Sequence, residues 1–157
     1  MKTQRSVVLI KPDGLQRGLL GQIITRFEQK GLKLVALRMM NLEDKVLDEW
    51  YAHHKDKKFF DELKKFMMSA PVVAMLWEGV EAVEAVRKLC GLTHGREAEA
   101  GSIRGDFSMS HQLNLIHASD SEKSAKKEGE LIFTEEEIFE YDHCAWPWTY
   151  SSEEQGK

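Results

Sequence analysis

A histidine is delivered to the end of an apolar segment in Asn114-Leu115-Ile116-His117-Ala118-Ser119-Asp120-Ser121. Leu115 and Ile116 read as strand, while Ser119, Asp120 and Ser121 are residue types that cap helices. An imidazole between a strand end and a helix start sits where backbone N–H groups and the helix dipole favour an anion. Imidazole is also largely neutral and nucleophilic near neutral pH. Elsewhere the chain offers Lys11, Arg87 and Arg104 as cations after strand ends, on a helix or in a loop, and Thr93 as a hydroxyl. Brought near His117, these groups would clamp a polyphosphate, because phosphoryl transfer is catalysed mainly by positioning and charge neutralisation.

Other phosphate and metal chemistry finds no support. Gly14, Gly18 and Gly21 fit neither G-x-x-x-x-G-K-[ST] nor G-x-G-x-x-G, and the protein-kinase motifs are missing. Cys90-x-x-x-His94 and His143-Cys144 lack metal-ligand spacing. Arg104-Gly105-Asp106 matches an adhesion tripeptide by coincidence.

The elements that must position these groups fit in 157 residues with 42% hydrophobic and 31% charged side chains, an ordinary globular composition. With 22 basic and 26 acidic residues the net charge is −4, so no global field recruits nucleic acid or an anionic membrane. Any phosphate site must rest on a few converging cations. Cys90 and Cys144 suit a reducing compartment and leave a single bridge open. Val7–Ile10 is too short for a signal core, and Pro71–Trp77, the longest apolar run, is far below the ~20 residues of a membrane helix. These features point to a cytoplasmic protein without membrane contact.

Residues 6–10 read as a buried strand stopped by a Lys11-Pro12-Asp13-Gly14 turn. Leu19, Leu20, Ile23, Ile24 and Phe27 mark a helix ending at Gly31, and 32–40 a second strand. Short helices follow around Val46–Tyr51 and Phe59–Met67, then a strand at 71–77 and a helix from Val80 to Gly91. Residues 92–107 read as a long loop, 113–116 as the fourth strand and 122–128 as the last helix. Apart from the inserted short helices, the order is βαβ twice. The reading is an α/β (α+β) fold of the ferredoxin-like, split βαβ type: a four-stranded antiparallel sheet with helices covering one face. Residues 1–144 form one domain, and 145–157 a C-terminal tail with a disordered end.

Val7-Val8-Leu9-Ile10-Lys11-Pro12-Asp13-Gly14 followed by Gln16-Arg17-Gly18 resembles the opening of a nucleoside diphosphate kinase. Tyr51, Phe59-Phe60, Pro71–Met75, Ile103–Phe107 and Asn114–Ser121 resemble that family in order and spacing, over residues 4 to about 142. The resemblance implies a ping-pong enzyme. Its catalytic histidine, His117, takes the γ-phosphoryl of a nucleoside triphosphate such as ATP and passes it to a diphosphate such as GDP, maintaining triphosphate pools. It implies that Lys11, Tyr51, Arg87, Thr93 and Arg104 hold phosphates, that Asn114 and Lys11 reach the sugar hydroxyls, and that Phe59 stacks on the base. It further implies that Glu128 accepts a hydrogen bond from the imidazole, with Ser119 supporting the pair. Mg²⁺ would ride on the nucleotide phosphates, with Asp120 touching it through water and no direct protein ligand. The family's dimers, joined into hexamers through the long loop, imply a homo-oligomer here.

The chain departs from the family pattern in places. Thr93-His94-Gly95 stands where Thr, Asp or Asn, then Pro is usual, and Gln112-Leu113 where Gly-Arg is usual. His111 stands where an aliphatic residue commonly faces the base. Gly95 would loosen a subunit-contact segment, and Gly95→Pro would make the oligomer more heat-resistant provided residue 95 has a free N–H. An RNA-binding module on the same fold would need K/R-G-F/Y-G/A-F-V-x-F/Y, which is absent. A catalytically silent assembly subunit would not keep His117 together with all the phosphate-binding residues.

Overall fold

The computed structural model describes residues 2–155. Its elements are β1 (Thr3–Ile10), α1 (Pro12–Gln16), α2 (Leu20–Gln29), β2 (Lys33–Met40), α3 (Asp44–Trp50), α4 (Phe60–Met67), β3 (Val72–Val80), α5 (Ala82–Cys90), α6 (Ile103–Phe107), β4 (Ile116–Ala118), α7 (Glu122–Ile132) and α8 (Trp146–Thr149). The strands form one sheet in the order β2-β3-β1-β4, with every neighbouring pair antiparallel. The expected four-stranded ferredoxin-like sheet is the observed one. β1 is fully enclosed from Val7 to Ile10, as its unbroken apolar run requires for a central strand.

Period-2 alternation on β1 and β3 divides the core. Val7 and Leu9 join Ala74, Leu76, Leu47, Trp50, Phe60, Met67 and Ile132 on one side. Val8 and Ile10 join Val73, Met75, Trp77, Ile23, Phe27 and Val86 on the other. Each such side chain contributes about 1.5–3 kcal/mol on burial. Helices thus cover both faces, which corrects the expectation of a single covered face. The inserted α3 and α4, together with α7, pack over the second face across β1 and β3, while Leu37 and Met39 of edge strand β2 stay exposed.

The Lys11-Pro12-Asp13-Gly14 segment is a helix start rather than a plain turn. Pro12 occupies the first turn of α1, where a missing N–H costs nothing. β4 begins three residues later than the expected 113, because Leu115 adopts a left-handed φ of 73° that no strand can continue through. His117 consequently lies within β4, paired with Leu9, and not beyond a strand end. The 92–107 segment is partly helical: Ser102 caps α6 by accepting from the Gly105 N–H at 3.0 Å. α7 runs on to Ile132 because Ala125, Gly129 and Ile132 give it a buried stripe beyond residue 128.

After α7 the chain returns along β2, where the Phe139 N–H and the Tyr141 hydroxyl donate to the carbonyls of Val35 and Leu34. Within the expected tail, α8 leads to Tyr150, whose hydroxyl accepts the Val80 N–H at 3.2 Å. Residues 156–157 lie outside the described residues. Cys90 and Cys144 are both free, so the bridge left open by the sequence does not form. Among the described residues no helix is long and apolar enough to cross a membrane.

Candidate active site

A relay of hydrogen bonds fixes His117 from behind. The Val7 N–H donates to Ser119 Oγ at 2.9 Å, and the Ser119 N–H donates to the Val7 carbonyl at 3.0 Å, continuing the β1–β4 pairing. The one hydroxyl hydrogen of Ser119 goes to Glu128 Oε2 at 2.9 Å, in preference to the Val7 carbonyl at 3.3 Å. The same Oε2 lies 3.1 Å from His117 Nε2. A carboxylate oxygen only accepts, so the proton of the neutral imidazole resides on Nε2 and the free lone pair is on Nδ1. Ser119 is wholly buried, whereas the His117 side chain keeps 20% of its surface exposed.

Cations gather along the cleft that the imidazole also lines. Lys11 follows β1, is 8% exposed, and donates from Nζ to Asn114 Oδ1 at 2.7 Å. Burial, reinforced by nearby Arg104 and opposed by Asp13, lowers its ammonium pKa to about 8. Asn114 Nδ2 in turn donates to the Thr93 and His111 carbonyls at 3.0 and 2.9 Å, tying three segments together. Arg104 donates to the carbonyls of Asn114 (3.2 Å), Gly91 (2.8 Å) and Ile116 (2.6 Å). Guanidinium has about five N–H groups, so these three leave two for an anion. Burial lowers the Arg104 pKa, with Cys90 opposing and Arg87 adding to the effect.

These residues line one open cleft with His117 and Glu128. Arg87 and Thr93 are exposed on its rim, on α5 and in the following loop. Asp120 is also exposed there; a hydrogen bond from Ser124 holds its carboxyl below the usual range, against partial burial, and Ser121, Arg87 and His117 add to the lowering. Tyr51 is 7% exposed, and burial pushes its phenol pKa up, with Glu128 adding to the effect. Phe59 also lines the cleft, 48% exposed, with the Lys57 ammonium 5.6 Å over its ring. Every expected site residue thus lines the cleft except Ser119, which is wholly buried.

Two residues of the site escaped the sequence reading of chemistry. Asp13 Oδ2 accepts the Leu115 N–H at 3.0 Å and so shapes the approach to β4. Trp50, read only as an apolar helix position, meets the His117 ring with centroids 5.1 Å apart and planes 73° apart. Contacts between positions so far apart in sequence leave no periodic signal.

The comparisons with known proteins converge on one family. The family model described as nucleoside diphosphate kinase matches residues 4–138. The nucleoside diphosphate kinase of Natronomonas pharaonis is 50% identical over 149 residues, 94% of this chain and 97% of that protein. Nucleoside diphosphate kinase A of Mus musculus is 49% identical over 148 residues, covering 94% and 97%. A halophilic nucleoside diphosphate kinase from Halobacterium salinarum, solved in complex with CDP, superposes with a TM-score of 0.93 at 44% identity, covering 95% of this chain and 99% of that one. The chain belongs to the nucleoside diphosphate kinase family. It is a phosphotransferase that moves phosphate between nucleotides.

Within this kinase chain the Thr93-His94-Gly95 departure has a structural cause. Gly95 is buried, its N–H donates to the Ser110 carbonyl at 3.1 Å, and an added Cβ would fall 2.4 Å from the Ser108 carbonyl oxygen. The free N–H assumed for a stabilising Gly95→Pro exchange does not exist. That expectation is corrected: Gly95 lets two stretches of the loop pack together.

Proposed function

We propose that the transfer is ping-pong, with His117 as the nucleophile. The observation that carries this is the Val7–Ser119–Glu128–His117 relay, which puts the proton on Nε2 while Lys11, Arg87 and Arg104 share the cleft. Nδ1 attacks the γ-phosphorus of a nucleoside triphosphate such as ATP as the bond from that phosphorus to the β–γ bridging oxygen breaks. The diphosphate leaves with the bond pair, and the imidazole becomes a phosphohistidine. A terminal oxygen of the acceptor diphosphate, GDP for example, then displaces the P–N bond and restores the imidazole. Glu128 stabilises the positive charge that develops on the ring in both halves.

Lys11, Tyr51, Arg87, Thr93 and Arg104 hold the phosphates, Asn114 and Lys11 take the sugar hydroxyls, and Phe59 carries the base. Stacking on Phe59 is a contact every base can make, which supports broad base tolerance. Among the described residues no group of three or more His, Cys, Asp or Glu could cage a metal. The exposed Asp120 carboxylate at the rim suits Mg²⁺ carried on the nucleotide phosphates and reached through water. When bound, Mg²⁺ neutralises charge on the phosphate oxygens.

The enzyme comprises one kinase domain over residues 1–144 with a tail over 145–157, acts in the cytoplasm and contributes to triphosphate pools. It works as a homo-oligomer, a dimer joined into hexamers through the long loop. Edge strand β2, where Leu37 and Met39 are 51% and 57% exposed, supports the dimer. Incubation with γ-labelled ATP and Mg²⁺ tests the mechanism. One acid-labile, alkali-stable label per subunit that leaves on adding GDP, and is lost in His117→Ala, is expected. An alanine variant that labels like the parent would remove His117 as nucleophile.

A further inference from the structure

Glu128 holds one atom of the His117 ring and leaves its tilt free. A ring tethered at Nε2 alone can swing about that contact and carry Nδ1 off the line of attack. Trp50 supplies the second constraint. Its indole is 7% exposed at the C-terminal end of α3, within the apolar core shared with Leu47 and Phe60, and it meets the imidazole at 5.1 Å in a T-shaped pair. Trp50 Nε1 is buried and has no hydrogen-bond partner. The indole therefore holds its place by ring shape and packing, at the expense of an unsatisfied donor.

The platform beneath it is braced on both sides. Lys64 of α4 donates to Asp44 and Asp48 of α3, each at 2.9 Å. Lys127 of α7, next to Glu128, donates to the Glu49 carbonyl at 3.3 Å. The element bearing the carboxylate and the element bearing the indole are thus tied together beside the imidazole.

We propose that Trp50 is a positioning residue that fixes the plane of the His117 imidazole, so that Nδ1 is aimed at the incoming phosphorus. The proposal rests on His117 being the nucleophile. Trp50 reaches the edge of the cleft, and in this role it acts on the phosphorus through the ring it walls. Orientation errors of this kind cost rate while leaving substrate affinity in place.

Single-turnover labelling by γ-labelled ATP and Mg²⁺ tests it in the full-length parent, Trp50→Phe and Trp50→Leu. Trp50→Leu should label about tenfold more slowly at saturating ATP, with the ATP concentration for half-maximal rate unchanged within about twofold. Trp50→Phe, which restores an aromatic wall, should recover most of the loss and serves as the reading should the leucine variant fail to fold, in which case a rate near the parent's is expected. Equal rates in the parent and Trp50→Leu would overturn the role of Trp50 alone. So would a Trp50→Phe variant as slow as the leucine variant, or slow beside a leucine variant that fails to fold, and so would a half-maximal ATP concentration that rises in step with the lost rate. A parent that takes no label overturns the nucleophile, and the role of Trp50 with it.

Discussion

Asp13 and Leu115, 102 residues apart, are joined by a hydrogen bond in which the Asp13 carboxylate accepts the Leu115 N–H at 3.0 Å. The Leu115 carbonyl accepts the Lys11 N–H at 2.8 Å, so both sides of this wholly buried residue are held. That double hold sustains its left-handed φ of 73°, a conformation costing about 1–3 kcal/mol in a non-glycine residue. The buckle sets where β4 starts, and with it the register that pairs His117 with Leu9. Gly14 permits it, since a Cβ there would lie 2.9 Å from the Leu115 carbonyl oxygen.

Removing the carboxylate should therefore cost stability and rate together. Asp13→Ala leaves a buried N–H unpaired and should lower unfolding free energy by about 1–3 kcal/mol in urea titration. Labelling of His117 should slow in the same variant, while Asp13→Asn, whose side-chain oxygen can still accept, should lose less. Parent-like stability in the alanine variant would show that the buckle does not depend on Asp13.

Lys11 gives the pH dependence. Its folded pKa, lowered by burial and by Arg104 against Asp13, is about 8, below the ordinary 10.5. Between those values the unfolded chain binds a proton the folded chain has released, so this group makes stability rise with pH across the window. Activity runs the other way. The uncharged amine cannot hold phosphate, so kcat/KM should fall as pH rises through about 8. The limb in kcat should lie higher, because bound phosphate favours the charged form. A kcat/KM that stays flat to pH ~9.5 would show that Lys11 remains charged or is dispensable.

Arg104 has two tasks. Its guanidinium holds the Asn114, Gly91 and Ile116 carbonyls and keeps two N–H groups for an anion. Arg104→Ala should lose roughly 100-fold or more in kcat/KM and also lower Tm. The three guanidinium nitrogens each reach a different carbonyl, a span that the three N–H donors on lysine's single nitrogen cannot cover, so Arg104→Lys should rescue activity only partly and Tm hardly at all. Near-normal activity in Arg104→Ala would take the residue out of the site.

The parts of the fold legible in the sequence are those with a strong local period. β1 is read from its unbroken apolar run and α2 from Leu20, Ile23 and Phe27, because burial there follows directly from spacing. The start of β4 is not legible, since nothing in Asn114-Leu115-Ile116 announces a positive φ imposed by Asp13 from the far end of the chain. α7 is cut short because its lysines and glutamates mask Gly129 and Ile132 on its buried side. At the site, residue types and the resemblance single out His117, Lys11, Asn114 and Arg104. The cover on the second sheet face, and Trp50 beside the imidazole, depend on how α3 docks, which no local pattern encodes.

The long loop supplies the prediction where sequence and structure part most sharply. Gly95 looks like a loosened proline position, and proline would then be expected to stiffen it. In the structure its N–H is spent on the Ser110 carbonyl at 3.1 Å, and its missing side chain admits Ser108, whose carbonyl oxygen would lie 2.4 Å from a Cβ. Proline removes the donor and adds the clash; alanine adds only the clash. Both variants should melt below the parent, Gly95→Pro further than Gly95→Ala, by several degrees for a chain of this size. Because His111 and Thr93 are tied through Asn114 to the same loop, the proline variant should also bind nucleotide more weakly. Thermal melts with light scattering would separate unfolding from dissociation of the proposed oligomer. A Gly95→Pro variant more heat-resistant than the parent would show that Ser108 and Ser110 can retreat without loss, and that the close packing of the loop contributes nothing to stability.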